Sequence, residues 1–212
     1  MSDIDELLSL YKERRADIRS RLKEFFGLKD TSEKRLFEEL CFCICTPQSN
    51  ARYADKAIKH LVDTGLLYRG TFGEVRNGLK GVRFPNNKGK YIVEARDRFT
   101  VNGKISIRPR IDPKNIEVTR IWFVKNVKGL GFKEASHFLR NIGFGKDIAI
   151  LDVHILRNMK IYGVIPETPK TLSPKIYLEL EEKLRGFSGR IGIPMDELDL
   201  LFWSKNTGII FK

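Results

Sequence analysis

The sequence predicts an all-α protein, and two observations carry that prediction. Apolar residues recur at helical spacing from the start, at Ile4, Leu7, Leu8, Tyr11, Ile18, Leu22 and Phe25–Phe26, with charges between them. Only Asn102–Pro113 alternates as a strand would, at Ile105 and Ile107, and its prolines and isolation argue against a sheet. After the first helix, Asp30-Thr-Ser-Glu33 is a capping signal for a helix through Leu36, Phe37, Leu40 and three cysteines. Thr46-Pro47 should interrupt it, because proline cannot donate to the preceding turn. Residues 51–67 read as another amphipathic helix, ending near Gly65. Arg83-Phe-Pro-Asn-Asn-Lys-Gly89 has loop composition and precedes a helix from Lys90 to Phe99. From Glu117 helical periods return, punctuated by Gly129, Gly131, Gly143 and Gly145, with later helices near 153–162, 173–186 and 195–206. No internal repeat or low-complexity tract breaks this pattern.

The 212 residues carry 39 Lys+Arg against 27 Asp+Glu, a formal net charge of +12. That excess favours polyanions, nucleic acid first, because neutralising phosphates releases counterions; solubility alone is the plainer reading. No apolar run approaches the roughly 20 residues that span a bilayer. The start, Met1-Ser-Asp-Ile-Asp-Glu, lacks the basic and apolar stretches of a signal peptide, so an intracellular, cytoplasmic protein is expected. Cys41, Cys43 and Cys45 do not have the spacing of a tetrahedral zinc site, and an odd number cannot form a disulfide framework. They are expected to be reduced, structural thiols on a buried helix.

The strongest local signal is Val127-Lys-Gly-Leu-Gly-Phe-Lys-Glu-Ala-Ser136, between two helical stretches. Gly129 and Gly131 permit a tight turn that exposes backbone N–H groups, and the helix from Phe132 adds its own free amides and positive dipole end. Together these suit a phosphate oxygen, although a lone GxG also makes an ordinary helix-to-helix turn. Lys133 lies on the first turn of that second helix. Downstream, Ile148-Ala-Ile-Leu-Asp-Val-His154 is an apolar run ending in Asp152, an acid that could equally be the N-cap of the following helix.

With these residues in view, the sequence resembles the helix-hairpin-helix DNA glycosylases. In that superfamily a hairpin like GLGFK is followed by a Gly/Pro-rich loop and an aspartate. Lys133 matches the catalytic lysine of its bifunctional members, and Asp152 matches their aspartate. Phe42-Cys-Ile-Cys-Thr-Pro-Gln-Ser-Asn50 matches the turn whose polar residue fills the gap left by a flipped base, which here is Gln48. Lys133-Glu-Ala-Ser-His-Phe-Leu-Arg-Asn141, the Glu-Leu-Asp-Leu-Leu-Phe-Trp203 stretch and the final Lys212 resemble the small archaeal and bacterial 8-oxoguanine glycosylases of the second type. Two features depart from that pattern. Pro47-Gln48 replaces the usual alanine-asparagine, and Val153 stands where many members have a basic residue.

The resemblance implies two helical domains with the active site in the cleft between them. One domain is expected over 37–145, ending in the hairpin; the other combines 1–36 with 146–212. It implies excision of 8-oxoguanine from damaged double-stranded DNA by a monomer, as part of base excision repair. Lys133, as a neutral amine, would attack the sugar C1′, and β-elimination would then cleave the strand 3′ to the abasic site. A free lysine has a pKa of about 10.4, so burial and the helix N-terminus must favour the neutral form. Lys125 and Lys128 precede the glycines and should face phosphate instead. Asp152 would stabilise the developing sugar cation.

The hairpin, with Gly129 and Gly131, would anchor phosphate, with a monovalent cation bound there. Arg83 and Phe84 match the loop that addresses the estranged cytosine, or form a surface loop with one buried anchor. Trp203 and the Lys212 carboxylate match base-recognition positions, with a core role as the alternative for Trp203. His137 reads as a packed or capping residue, and His154 as a brace for the loop around Asp152. No cofactor is required: the iron–sulfur cluster of some branches needs four C-terminal cysteines. One rival function keeps the enzyme class and changes the lesion to an oxidised pyrimidine or alkylated purine. The other is a non-catalytic helix-hairpin-helix DNA-binding module, for which Lys133 and Asp152 would serve no purpose.

Overall fold

A computed structural model describes residues 3–211. It divides into two compact units, Met1–Lys29 with Gly143–Lys212, and Asp30–Ile142. The first division lies earlier than the 36/37 expected from sequence, because Ser32 caps α2 (Glu33–Cys45) and the helix then packs as one piece. The Ser32 hydroxyl accepts from the Arg35 N–H at 3.3 Å.

The Asp30–Ile142 unit is built around α2. Leu36, Phe37 and Leu40–Cys45 are all buried, so this helix is covered on every side. Helices α3 (Ala51–Asp63), α6 (Pro85–Phe99) and α8 (Phe132–Asn141) pack against it. The expected 51–67 helix is split by Gly65, which adopts φ 72° and leads into the short α4 (Leu66–Arg69). After α4 the chain forms a further helix, α5 (Phe72–Gly78), opened by a capping box between Thr71 and Glu74.

Two local expectations are corrected. The 83–89 segment is not a loop throughout: α6 begins at Pro85, whose fixed φ suits the first helical position. Asn102 and Gly103, at φ 50° and 73°, turn a two-residue antiparallel ribbon of β1 (Thr100–Val101) and β2 (Lys104–Ile105). The ribbon is too short to alter the all-α class. Helix α7 (Ile116–Asn126) packs on α8, and the buried Arg120 joins them by donating to Ser136 Oγ at 3.2 Å and lying over the Phe132 ring.

In the other unit, α1 (Asp3–Gly27), α9 (Val153–Ile161) and α10 (Pro174–Ile191) pack against α11 (Met195–Thr207). Tyr11 and Arg19 of α1 both donate to the Glu197 carboxylate, at 2.6 and 3.0 Å. Tyr162, Phe187 and Phe202 stack on one another. No described helix is long and apolar enough to cross a membrane.

Candidate active site

The hairpin that carries Lys133 is shaped by two glycines doing different work. Gly129 has φ +87°, and a Cβ there would stand 2.7 Å from Tyr91 Cδ2. Both conformation and space therefore demand glycine. Gly131 has an ordinary φ of −89° and is the N-cap of α8; its N–H donates to Glu134 Oε2 at 3.1 Å. One of the amides expected to face phosphate is thus satisfied by a side chain of the same helix. Glu134 uses its other oxygen, Oε1, to pair with Lys133 Nζ at 3.0 Å. Lys133 is partly buried and Glu134 mostly so. Lys125 and Lys128 are exposed, and Lys128 pairs with Glu94.

Gln48 and the Arg83–Phe84 pair are far apart in sequence and close in space. Gln48 is exposed with φ 54°, and Phe84, 52% exposed, has φ 56°. Left-handed backbone at non-glycine residues is costly and persists only where neighbours enforce it. Between the two segments lies Lys88, on the first turn of α6 and only 5% exposed. Its Nζ donates to Cys45 O at 2.8 Å, Pro47 O at 2.7 Å and Ser49 Oγ at 2.9 Å. Ser49 Oγ also accepts from the Arg83 N–H at 2.9 Å. The Arg83 guanidinium lies over the Phe84 ring at 5.4 Å. Burial first, then the charges of Lys133 and Arg83, holds the Lys88 ammonium below the ordinary lysine range.

Neither Lys88 nor Glu134 was singled out from sequence. For Lys88 a signal existed: it precedes Ile92, Ala95 and Phe99 at helical spacing, on the stripe these residues bury. Reading 83–89 as loop hid it.

Asp152 begins α9 as its N-cap. Oδ1 accepts from the N–H groups of His154 and Ile155 at 2.8 and 2.9 Å. The other oxygen, Oδ2, accepts no hydrogen bond from a described residue. The capping and chemical readings are therefore compatible, because one oxygen fixes the carboxylate and the other is open. The His154 ring meets Trp203 edge-on, with centroids 6.5 Å apart, and Phe211 lies 6.5 Å beyond. Trp203 is half-buried. The unit of α9 and α11 thus brings Asp152, His154 and Trp203 together, while the other unit gathers Gln48, Arg83, Phe84 and the hairpin of Gly129, Gly131 and Lys133. Lys212 lies outside the described residues. His137 is buried with its ring edge-on to Phe42 at 5.6 Å, as a packed histidine would be. Cys41, Cys43 and Cys45 are buried free thiols of α2.

A family model described as 8-oxoguanine DNA glycosylase matches residues 18–193. The 8-oxoguanine DNA glycosylase/AP lyase of Fusobacterium nucleatum is 48% identical over 210 residues, covering 98% of this chain and 97% of that one. Its counterpart from Methanocaldococcus jannaschii is 41% identical over 197 residues, covering 92% and 91%. A crystal structure of the M. jannaschii 8-oxoguanine glycosylase/lyase with a 15mer DNA containing 8-oxoguanine covers 100% of both chains, with TM-score 0.89 and 36% identity. Likeness of this extent, along the whole chain and through both units, places the protein in the 8-oxoguanine DNA glycosylase family.

Proposed function

We propose that this protein removes 8-oxoguanine from duplex DNA and cleaves the strand at the resulting abasic site through a lysine Schiff base. The observation that carries the reading is the place of Lys133. It stands on the first turn of α8 beside the Gly129 turn, in a chain that matches, end to end, a glycosylase/lyase crystallised with 8-oxoguanine DNA.

A base inside a duplex is out of reach, so the nucleotide must leave the stack at a cost of a few kcal/mol. Gln48, held outward by its left-handed backbone, fills the vacated space, and Phe84 stacks beside the estranged base with Arg83. The amides of the hairpin turn and the positive N-terminal end of α8 meet backbone phosphate. A monovalent cation there would be held by main-chain carbonyls at the end of α7. Those carbonyls lack helical partners and carry the negative end of the helix dipole, which suits a hard cation. No group of three or more potential metal ligands occurs among the described side chains.

Cleavage of the N-glycosidic bond leaves positive charge on the sugar. Asp152 stabilises that charge through its open carboxylate oxygen. The Lys133 nitrogen bonds to C1′ as the base departs with the bonding electrons and takes up a proton. Loss of the remaining amine protons and opening of the ring give the Schiff base. Removal of a C2′ proton then expels the 3′ phosphate. Trp203 and Lys212 serve base recognition.

The test is a duplex carrying one 8-oxoguanine opposite cytosine, compared with duplexes carrying an oxidised pyrimidine or an alkylated purine. Release of 8-oxoguanine together with strand scission supports the reading. Preference for either comparison lesion would overturn the substrate, and base release without scission would overturn the lyase step.

A further inference from the structure

We infer that Lys88 is a positioning residue that locks the Gln48 turn and the Arg83–Phe84 segment into one rigid probe of the base pair. This rests on the reading of Gln48 as the residue that enters the vacated stack. The geometry supports it directly. A lysine side chain that is 5% exposed is rare, and here its hydrogen bonds go to neutral oxygens rather than to a carboxylate. All three ammonium hydrogens are used. Two brace the turn after α2, at the carbonyls of Cys45 and Pro47 that flank its bend. The third reaches Ser49, whose oxygen also receives the Arg83 amide.

The two segments so joined each contain an exposed residue in left-handed backbone, Gln48 at φ 54° and Phe84 at φ 56°. An ordinary surface turn has no need of a buried cation, and a stable core would be served better by an apolar side chain on this face of α6. What the cation supplies is a fixed distance between two outward-pointing side chains. That is the requirement for pushing into a stack from one side while holding the partner base on the other.

The experiment uses the full-length protein in single-turnover reactions on two substrates. One is a duplex with 8-oxoguanine paired to cytosine and 2-aminopurine beside the lesion. The other is single-stranded DNA with a preformed abasic site, which needs no base extruded. Lys88→Met is expected to slow excision from the duplex at least tenfold, abolish the rise in 2-aminopurine fluorescence, and leave abasic-strand cleavage within threefold. Ser49→Ala removes the link to the Arg83 amide and one of the three Lys88 contacts, and leaves the Lys88 bonds to the Cys45 and Pro47 carbonyls in place. It should give the same pattern more weakly and keeps the test decisive if Lys88→Met does not fold. Equal loss on both substrates, or an unchanged fluorescence rise in either folded variant, would overturn the positioning role. Gln48→Ala separates the two layers of inference. If it leaves duplex excision and fluorescence unchanged, the reading of Gln48 is wrong; if it lowers both while Lys88→Met and Ser49→Ala do not, only the role of Lys88 is wrong.

Discussion

Lys133 and Glu134 are neighbours in sequence and partners in space, with Nζ 3.0 Å from Oε1. The ion pair fixes where the Lys133 nitrogen stands, while the second oxygen of Glu134 holds the Gly131 amide and shapes the start of α8. Glu134→Gln keeps an acceptor for that amide and removes the charge. Strand cleavage at a preformed abasic site should fall by about three- to tenfold, because the amine loses the partner that orients it, with Tm close to that of the parent protein. Single-turnover cleavage assays paired with thermal melts check this, and unchanged cleavage would contradict it.

Asp152 offers a clean separation of structure from chemistry, because its cap uses one oxygen and leaves the other open. Asn caps a helix about as well as Asp. Asp152→Asn should hold Tm close to that of the parent protein while lowering excision by roughly a hundredfold or more. Asp152→Ala should lose the cap as well, at about 1 kcal/mol, or roughly 2–4 °C in Tm. Thermal melts paired with single-turnover assays check both values. Full activity in Asp152→Asn would reduce this residue to a cap.

The two hairpin glycines should respond differently to alanine. Gly129→Ala forces a side chain into left-handed backbone and against the Tyr91 ring. A loss of about 1–3 kcal/mol and weaker binding to undamaged duplex are expected. At Gly131 a Cβ would meet only the Glu134 carboxylate, at 3.1 Å, and that side chain can yield. Gly131→Ala should fold nearly as well as the parent and act mainly through Lys133 and Glu134. Denaturant melts and duplex titrations distinguish the two positions.

The thiols supply a pH prediction that does not depend on DNA. Burial pushes Cys41 up and Cys45 up to about 12, and only the thiolate reacts with disulfide reagents. At pH 8 the folded protein should show no reactive thiol with an aromatic disulfide, and three after unfolding in guanidinium. Reaction in the folded state would mean that α2 is not the core helix described.

The parts of the fold legible in the sequence are those written in local chemistry. Ser32, Pro47 and the glycines at 129 and 131 mark helix ends where the chain places them, because caps and breakers act within one turn. The ribbon at Thr100–Ile105 is not legible in alternation, since Pro109 and Pro113 argue against a sheet and its one signal is the Asn102-Gly103 turn. Lys133 and Asp152 could be read as candidates through family resemblance and spacing. Their neighbours could not. Glu134 looks like any first-turn acid until its two oxygens are seen in use, and Lys88 looks like solvent-facing charge until α6 is started at Pro85. Both act through partners distant in sequence or through atoms that composition does not distinguish.

The central claim is that Lys133 forms the covalent intermediate. Borohydride reduction during reaction with an 8-oxoguanine duplex should trap a protein–DNA adduct, with the modified peptide containing Lys133, and Lys133→Gln should abolish it. An adduct that persists in Lys133→Gln, or that maps to Lys125 or Lys128, would contradict the account.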